Sequence, residues 1–189
     1  MKKIGLLGGT FDPPHLGHLL IAEEVYRSLQ LDEVWFIPSH DPPHKDATDT
    51  PARDRANMTA LATEDNEHFS VNTIEIERTG VSYTVDTIRT LREQYEDASF
   101  YFIIGGDIVE NLNKWYQIDE LLTLVTFVGV KRPGYTLNSS IPVTEVEVPV
   151  FEVSSTLIRE RIEAGESTRY LLPDSVKDYV KERGLYGKK

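Results

Sequence analysis

The sequence contains no cysteine. This absence excludes disulfides, thiolate metal sites and a cysteine nucleophile, and it agrees with a reducing compartment. No stretch approaches the roughly 20 apolar residues that a membrane-spanning helix needs. The short apolar run after Met1-Lys2-Lys3 is interrupted by Gly8-Gly9, so it predicts a buried strand and not a secretory signal. We therefore expect a cytoplasmic protein without a membrane partner.

Positive charge is also scarce. The chain has 20 Lys and Arg against 31 Asp and Glu, which gives a formal net charge of −11 and a pI near 4.9. Proteins that bind DNA or RNA normally present a basic face to the phosphates, so we expect no nucleic-acid partner. A small phosphate ligand would have to be held locally, by a few cationic side chains, by backbone N–H groups at helix N-termini and by a divalent metal ion.

The length of 189 residues, with 40% hydrophobic residues, predicts a single domain over residues 1–189. Apolar runs of strand length alternate with segments of helical periodicity. Strands are predicted at 3–7, 32–37, 69–76, 99–104, 125–130 and 143–150, and helices at 16–29, 51–63, 84–95, from Asp107, from Gln117, at 155–164 and at 174–183.

Strands that alternate with helices indicate crossover connections and hence an α/β fold, with a doubly wound, mainly parallel sheet followed by C-terminal helices. In such sheets ligands bind beyond the carboxyl ends of the strands. We expect the loops at Gly8, Ser39, Gly105 and Lys131 to lie at that edge.

The loop after the first strand has the clearest chemistry. Gly8 and Gly9 let the backbone approach a phosphate closely, although their spacing matches neither the GxGxxG fingerprint nor the P-loop. His15 and His18 stand three residues apart at a predicted helix start, so their rings share one face near the positive end of the helix dipole. Both could reach one phosphate, or they could form a structural or metal-binding pair.

Two strings resemble a known family: Gly-Gly-Thr-Phe-Asp-Pro-Pro-His-Leu-Gly-His at 8–18 and Ser-Ser-Thr-Leu-Ile-Arg-Glu-Arg at 154–161. They are similar to the signatures of the HxGH nucleotidyltransferase superfamily. Within it the chain looks most like the bacterial nicotinate-mononucleotide adenylyltransferases, nearly end to end. Further support comes from Pro42-Pro43-His44-Lys45, Ser82 to Thr87, Gly105-Gly106-Asp107 and Trp115-Tyr116.

The resemblance implies a Rossmann-like nucleotidyltransferase fold and transfer of AMP from Mg-ATP to the 5′-phosphate of nicotinate mononucleotide in NAD biosynthesis. It implies that His18, helped by His15, stabilises charge at the α-phosphate. The implied ATP-binding residues are Gly8, Gly9, Thr10, Phe11, His18, Gly105, Asp107, Ser155, Thr156 and Arg159. The implied mononucleotide-binding residues are Lys45, Thr84, Trp115, Tyr116 and Arg132.

No acidic cluster looks like a dedicated metal site, so we expect Mg²⁺ to be delivered with ATP, the co-substrate. The resemblance also suggests self-association into a homo-oligomer.

Structural roles stay open for several of these residues. Thr84 and Asp107 could be helix N-caps, Asp107 in a capping box with Glu110. Trp115 and Tyr116 could be ordinary core or surface aromatics. The remaining cations, Lys45, Arg159 and Arg161, could be solvated charges.

Three other functions also stay open. The same chemistry could act on nicotinamide mononucleotide or phosphopantetheine, or the chain could bind nucleotides without catalysis. A metal hydrolase would use His15, His18, His40 and His44, but the sequence has no HExxH helix.

Overall fold

The structure, a computed structural model, describes residues 1–40, 48–78 and 81–187. This part of the chain contains one six-stranded sheet in the order β3-β2-β1-β4-β5-β6, in which all neighbouring strands are parallel. The prediction of a doubly wound, parallel α/β sheet is confirmed. The strands are β1 (Lys2–Gly9), β2 (Glu33–Pro38), β3 (Phe69–Val71), β4 (Ala98–Gly105), β5 (Thr126–Lys131) and β6 (Thr144–Glu147).

Helices connect the strands and close the chain. They are α1 (Leu16–Leu29), α2 (Ala52–Thr63), α3 (Ile74–Arg78), α4 (Thr84–Gln94), α5 (Gly106–Val109), α6 (Ile118–Leu124), α7 (Ser155–Ala164) and α8 (Asp174–Arg183), with a short 3₁₀ turn at Leu112–Lys114. Within the described ranges, no helix is long and apolar enough to cross a membrane.

The predicted strand at 69–76 is wrong in its second half. Strand β3 ends at Val71, and a helical turn begins at Ile74. Asn72 explains the break, because its side-chain oxygen accepts a hydrogen bond from the Ile74 N–H at 3.1 Å. This local bond offers the backbone an alternative to sheet pairing, as asparagine side chains often do.

Alternation of apolar side chains along the central strands produces two cores. Ile4 and Leu6 of β1 pack with α4 and α6 on one face of the sheet, whereas Leu7 packs with α1 on the other. A third cluster joins α2 to the C-terminal helices and contains Met58, Ala62, Ile158, Leu172, Val176 and Val180. The C-terminal helices are therefore docked on α2.

The carboxyl ends of four strands meet at one edge of the sheet. Gly9 pairs in register with Pro38, and Gly105 pairs with Val130. The sheet order reverses between β1 and β4, and ligands bind at this switch point in doubly wound folds. The fold thus gathers the loops predicted to form the site.

Candidate active site

His15 and His18 form a stacked pair at the start of α1. Their ring centroids are 3.7 Å apart, with 20° between the ring planes. His15 is the N-cap of the helix, and its backbone N–H donates to Nδ1 of His18 at 3.2 Å. Because Nδ1 accepts this bond, the proton of the neutral His18 ring lies on Nε2. Nε2–H is a suitable donor for a phosphate oxygen at the positive end of the helix dipole.

His15 is buried, with 6% of its surface exposed. Burial lowers the pKa of His15 to about 4, so its ring is neutral near pH 7. Its buried Nδ1 makes no hydrogen bond of normal geometry with the described residues. The His15 side chain is part of the capping box that begins α1, and its neutral ring lines a cavity without adding a full positive charge.

The buried His15 should make stability depend on pH. Its folded pKa of about 4 lies below the ordinary value of 6.5, so the unfolded chain takes up the proton first. The contribution of the neutral His15 to stability is therefore fully present above pH 6.5 and is lost as the pH falls towards 4. We expect this group to lower the free energy of unfolding by about 2–3 kcal/mol between pH 7 and pH 4.

His15→Asn removes the titrating group and keeps a good N-cap residue. Urea unfolding at several pH values in this window should give a shallower dependence of stability on pH for the variant than for the wild type. Identical slopes for the two proteins would contradict a neutral, buried His15.

Close packing explains the two glycines that flank this loop, Gly9 at the end of β1 and Gly17 at the start of α1. A Cβ on Gly9 would lie 3.0 Å from Cζ of Phe11, and one on Gly17 would lie 2.8 Å from Cγ1 of Val153. The Phe11 ring is buried and contacts His18 edge-on, with centroids 4.9 Å apart. Gly9 thus makes room for Phe11, which supports His18, while Gly17 lets the segment before α7 approach the histidines.

The N-terminus of α7 contacts the same loop. The Ser155 hydroxyl donates to the Pro13 carbonyl at 2.8 Å, and Arg159 Nη1 donates to the Asp12 carbonyl at 2.7 Å. Thr156, in the first turn of α7, is exposed and accepts a hydrogen bond from Arg159 at 3.4 Å. The structure therefore brings the two strings of the resemblance together, although 142 residues separate Pro13 from Ser155.

A cavity of about 450 Å³ opens beside His15. Its walls include His15 and Gly17 from α1, Gly105, Gly106 and Asp107 from the end of β4, and Arg132 from the end of β5. Arg132 forms an ion pair with Glu152 at 3.0 Å, and both side chains are exposed. The structure thus places Arg132 with the residues predicted to bind ATP.

Three further residues predicted to bind the mononucleotide, Thr84, Trp115 and Tyr116, lie in and beside the segment that begins α4. Thr84 is the first residue of the helix, and the preceding Tyr83 contacts Tyr116, with ring centroids 4.8 Å apart. Trp115 is half-buried and packs edge-on against Phe102 at 5.8 Å between centroids. The alternative of a core aromatic is therefore partly right for Trp115, and Tyr116 is exposed. Lys45 and His44 lie outside the described residues.

The suggested N-cap roles of Thr84 and Asp107 are wrong. The caps are Tyr83 and Gly105, because each helix begins one residue beyond the cap, at Thr84 and at Gly106. In the case of α5, strand β4 continues through Gly105, so Asp107 falls inside the first turn. Neither residue is therefore committed to capping, and both remain available to a ligand.

The described residues hold no group of three or more His, Asp or Glu side chains placed to bind a metal ion. The site instead presents backbone N–H groups, imidazoles and guanidinium groups, which suit phosphate oxygens.

The sequence pattern alone did not single out Arg55 as a residue that supports the site. It is 1% exposed and donates hydrogen bonds to three backbone carbonyl oxygens, those of Thr10 at 2.7 Å, His40 at 3.0 Å and Thr50 at 3.3 Å. The only signal was its position on the buried face of α2, at helical spacing from Met58, Thr59 and Ala62. A buried arginine on such a face requires partners, so the spacing was informative.

The parallel sheet with this strand order and the histidine pair at a helix N-terminus agree with the Rossmann-like nucleotidyltransferase class that the sequence resembles. A family model described as cytidylyltransferase-like matches residues 6–161. A relative from Oceanobacillus iheyensis, named "Probable nicotinate-nucleotide adenylyltransferase", is 57% identical over 99% of this chain and 98% of its own length. A relative of the same name from Bacillus cereus is 56% identical over 98% of this chain and 99% of its own.

The chain belongs to the nicotinate-nucleotide adenylyltransferase family. This confirms the family that the sequence resembles. Two solved structures of Plasmodium falciparum nicotinic acid mononucleotide adenylyltransferase, complexed with APC and with NaAD, share the fold. Their TM-scores are 0.80 and 0.79, at 18% and 19% identity, and each comparison covers 98% of both chains.

Proposed function

We propose that the chain transfers AMP from Mg-ATP to the 5′-phosphate of nicotinate mononucleotide and so forms nicotinate adenine dinucleotide and pyrophosphate in NAD biosynthesis. The observation that carries this proposal is the stacked pair of His15 and His18 at the N-terminus of α1, with Arg159 bonded to the same loop. The names of the relatives support the choice of acceptor.

The reaction needs no covalent intermediate on the protein. An oxygen of the acceptor phosphate attacks the α-phosphorus of ATP, and the bond from that phosphorus to the bridging oxygen breaks, so pyrophosphate leaves with the electron pair. The second pKa of a phosphate monoester is about 6, so the nucleophile is already ionised near neutral pH. Catalysis then consists of positioning and of stabilising charge.

We assign the α-phosphate to Nε2 of His18, to the neutral ring of His15 and to the backbone of Gly8, Gly9 and Thr10, with Phe11 supporting His18. The β- and γ-phosphates are assigned to Ser155, Thr156 and Arg159, because α7 directs its N-terminus to the same loop. The adenosine is assigned to the cavity bordered by Gly105 and Asp107.

The site offers hydrogen-bond donors to phosphate oxygens and few carboxylates that could bind a metal ion directly. It therefore fits Mg²⁺ that enters already bound to the phosphates of ATP. When bound, the ion would offset the charge that develops on the leaving pyrophosphate.

The acceptor is assigned to the start of α4. The first N–H groups of a helix have no partner within it, so those at Thr84 can receive the carboxylate of the pyridine ring, together with the backbone at Tyr116. The exposed part of Trp115 would stack on that ring. Lys45 and Arg132 would hold the acceptor phosphate, which must lie beside the α-phosphate to attack it. The position of Arg132 on the ATP cavity is compatible with that requirement.

The acceptor preference can be tested by measuring pyrophosphate release with ATP, Mg²⁺ and each of three acceptors. We expect nicotinate mononucleotide to exceed nicotinamide mononucleotide and phosphopantetheine in kcat/KM by at least about tenfold, because a hydrogen bond to a charged group contributes about 1.5–3 kcal/mol. Equal or better turnover of either alternative would contradict the preference. Calorimetric binding of ATP, without release of pyrophosphate from ATP in the presence of any of the three acceptors, would favour a non-catalytic module.

A further inference from the structure

Asp12 places a negative charge in the loop that must receive a polyanion. The residue is 7% exposed. A carboxylate in this position repels phosphate and is costly to bury unless its oxygens receive hydrogen bonds. Two hydroxyl groups provide them, since Thr48 donates to Oδ2 and Tyr186 donates to Oδ1. Each carboxylate oxygen thus has its own donor.

The backbone of Asp12 supports the phosphate site directly. Its carbonyl oxygen accepts the 2.7 Å hydrogen bond from Arg159, and the next carbonyl along the chain, that of Pro13, accepts from Ser155. Rotation of Asp12 would therefore disturb both contacts between the loop and α7. Asp12 is thus held at its backbone by Arg159 and at its side chain by Thr48 and Tyr186, so a movement of the whole residue would also displace Arg159.

Tyr186 reaches Asp12 from the segment that follows α8, 174 residues away in the chain. Gly184 and Tyr186 both have positive φ angles, of 62° and 61°, which turn the chain back towards the loop. This conformation is unfavourable for a tyrosine, so contacts elsewhere must stabilise it. Burial and the neighbouring Asp12 carboxylate raise the pKa of Tyr186, which keeps its hydroxyl protonated as a donor.

We propose that Tyr186 is a positioning residue for ATP: its hydroxyl holds the Asp12 carboxylate in place, and through Asp12 it keeps Arg159 in the orientation that receives the phosphates. This inference rests on the proposed function, because it assumes that the loop binds ATP. Removing the hydroxyl frees one carboxylate oxygen to face the phosphates and loosens the carbonyl that holds Arg159. ATP affinity should fall, while the acceptor site at α4 is untouched.

Tyr179 provides a matched control. Its hydroxyl also donates to a buried carboxylate, that of Asp54, at 2.6 Å. Asp54 lies on α2, so this bond docks α8 without contacting the phosphate loop. Tyr186→Phe and Tyr179→Phe therefore remove similar hydrogen bonds from the same end of the chain, and only the first bond involves Asp12.

The experiment compares these two variants with the wild type in three measurements: Tm, steady-state kinetics with ATP and nicotinate mononucleotide, and binding of a non-hydrolysable ATP analogue. Both variants should lower Tm slightly and to a similar extent. Only Tyr186→Phe should raise KM for ATP and Kd for the analogue, each by about tenfold, as expected for the loss of a hydrogen bond to a charged group. KM for nicotinate mononucleotide should change by less than about twofold.

Equal ATP parameters for the two variants would overturn the proposal, because the bond would then only dock the C-terminal segment. If Tyr186→Phe does not fold, Thr48→Val removes the other donor to Asp12 and should weaken binding of the analogue in the same direction; unchanged binding would overturn the proposal equally. A wild type that binds the analogue but does not use nicotinate mononucleotide would refute the proposed acceptor, while the comparison of analogue binding would still decide the role of Tyr186.

Discussion

Replacing His18 by Ala should lower kcat at least about 10²-fold, the scale seen when one preorganised donor to a developing charge is removed. The physical reason is the tautomer, because the hydrogen bond from the His15 N–H to Nδ1 places the proton on Nε2, which we assign to the α-phosphate. The charge on the α-phosphate oxygens changes as pyrophosphate departs, so a donor aimed there acts on the transition state. Steady-state measurement of pyrophosphate release gives kcat directly.

His18→Ala also removes a contact that stabilises the start of α1, so a second variant is needed. His18→Asn can keep an acceptor for the His15 N–H while it removes the Nε2 donor, and it should lose activity to a similar extent. His68 is the matched control, because it stacks on Tyr26 at 4.6 Å beside β3, and His68→Ala should leave kcat unchanged. Unchanged kcat in both His18 variants would remove His18 from the chemistry.

The parts of the site that could be predicted are those formed by residues that lie close together in the sequence. Strand, turn and helix at residues 2–29 follow from local periodicity, and His15 and His18 share a helix face at a spacing of three. The helix at the start of α7 also follows from the local pattern, where Ser154 accepts a capping hydrogen bond from the Leu157 N–H at 3.1 Å, whereas Ser155 and Arg159 were singled out through the family resemblance. Local rules sufficed because local hydrogen bonds and apolar faces decide these elements.

The parts that could not be predicted depend on contacts between distant residues. Asn72 ended a strand that the apolar pattern continued, because one side-chain hydrogen bond outweighed a loose alternation. Arg55 and Tyr186 act through partners 45 and 174 residues away, Thr10 and Asp12, and nothing in the spacing of the sequence specifies those pairs. The sequence thus identified the groups assigned to phosphate binding, whereas the residues that orient them emerged only from the tertiary structure.

Among the substitutions proposed, Arg55→Met should lower the free energy of unfolding most. The substitution leaves the carbonyl oxygens of Thr10, His40 and Thr50 without their guanidinium donor, at positions that are buried for Thr50 and partly buried for the other two. Each unsatisfied buried carbonyl costs about 1–3 kcal/mol, so we expect the free energy of unfolding to fall by about 4 kcal/mol or more. Urea unfolding followed by circular dichroism measures this as a lower midpoint at a similar m-value.

Arg53→Met is the matched control, because Arg53 is exposed on the same helix two residues earlier. It should change stability by less than about 0.5 kcal/mol.

Arg55→Lys keeps the charge but lacks the planar guanidinium group, so it cannot form three hydrogen bonds in different directions and should give an intermediate loss of stability. Arg55 joins Thr10 of the phosphate loop to His40, two residues beyond the end of β2. Folded Arg55→Lys protein should therefore also show raised KM values for both substrates. A loss of under about 1 kcal/mol in Arg55→Met would mean that water satisfies these carbonyls and that Arg55 does not hold the loop.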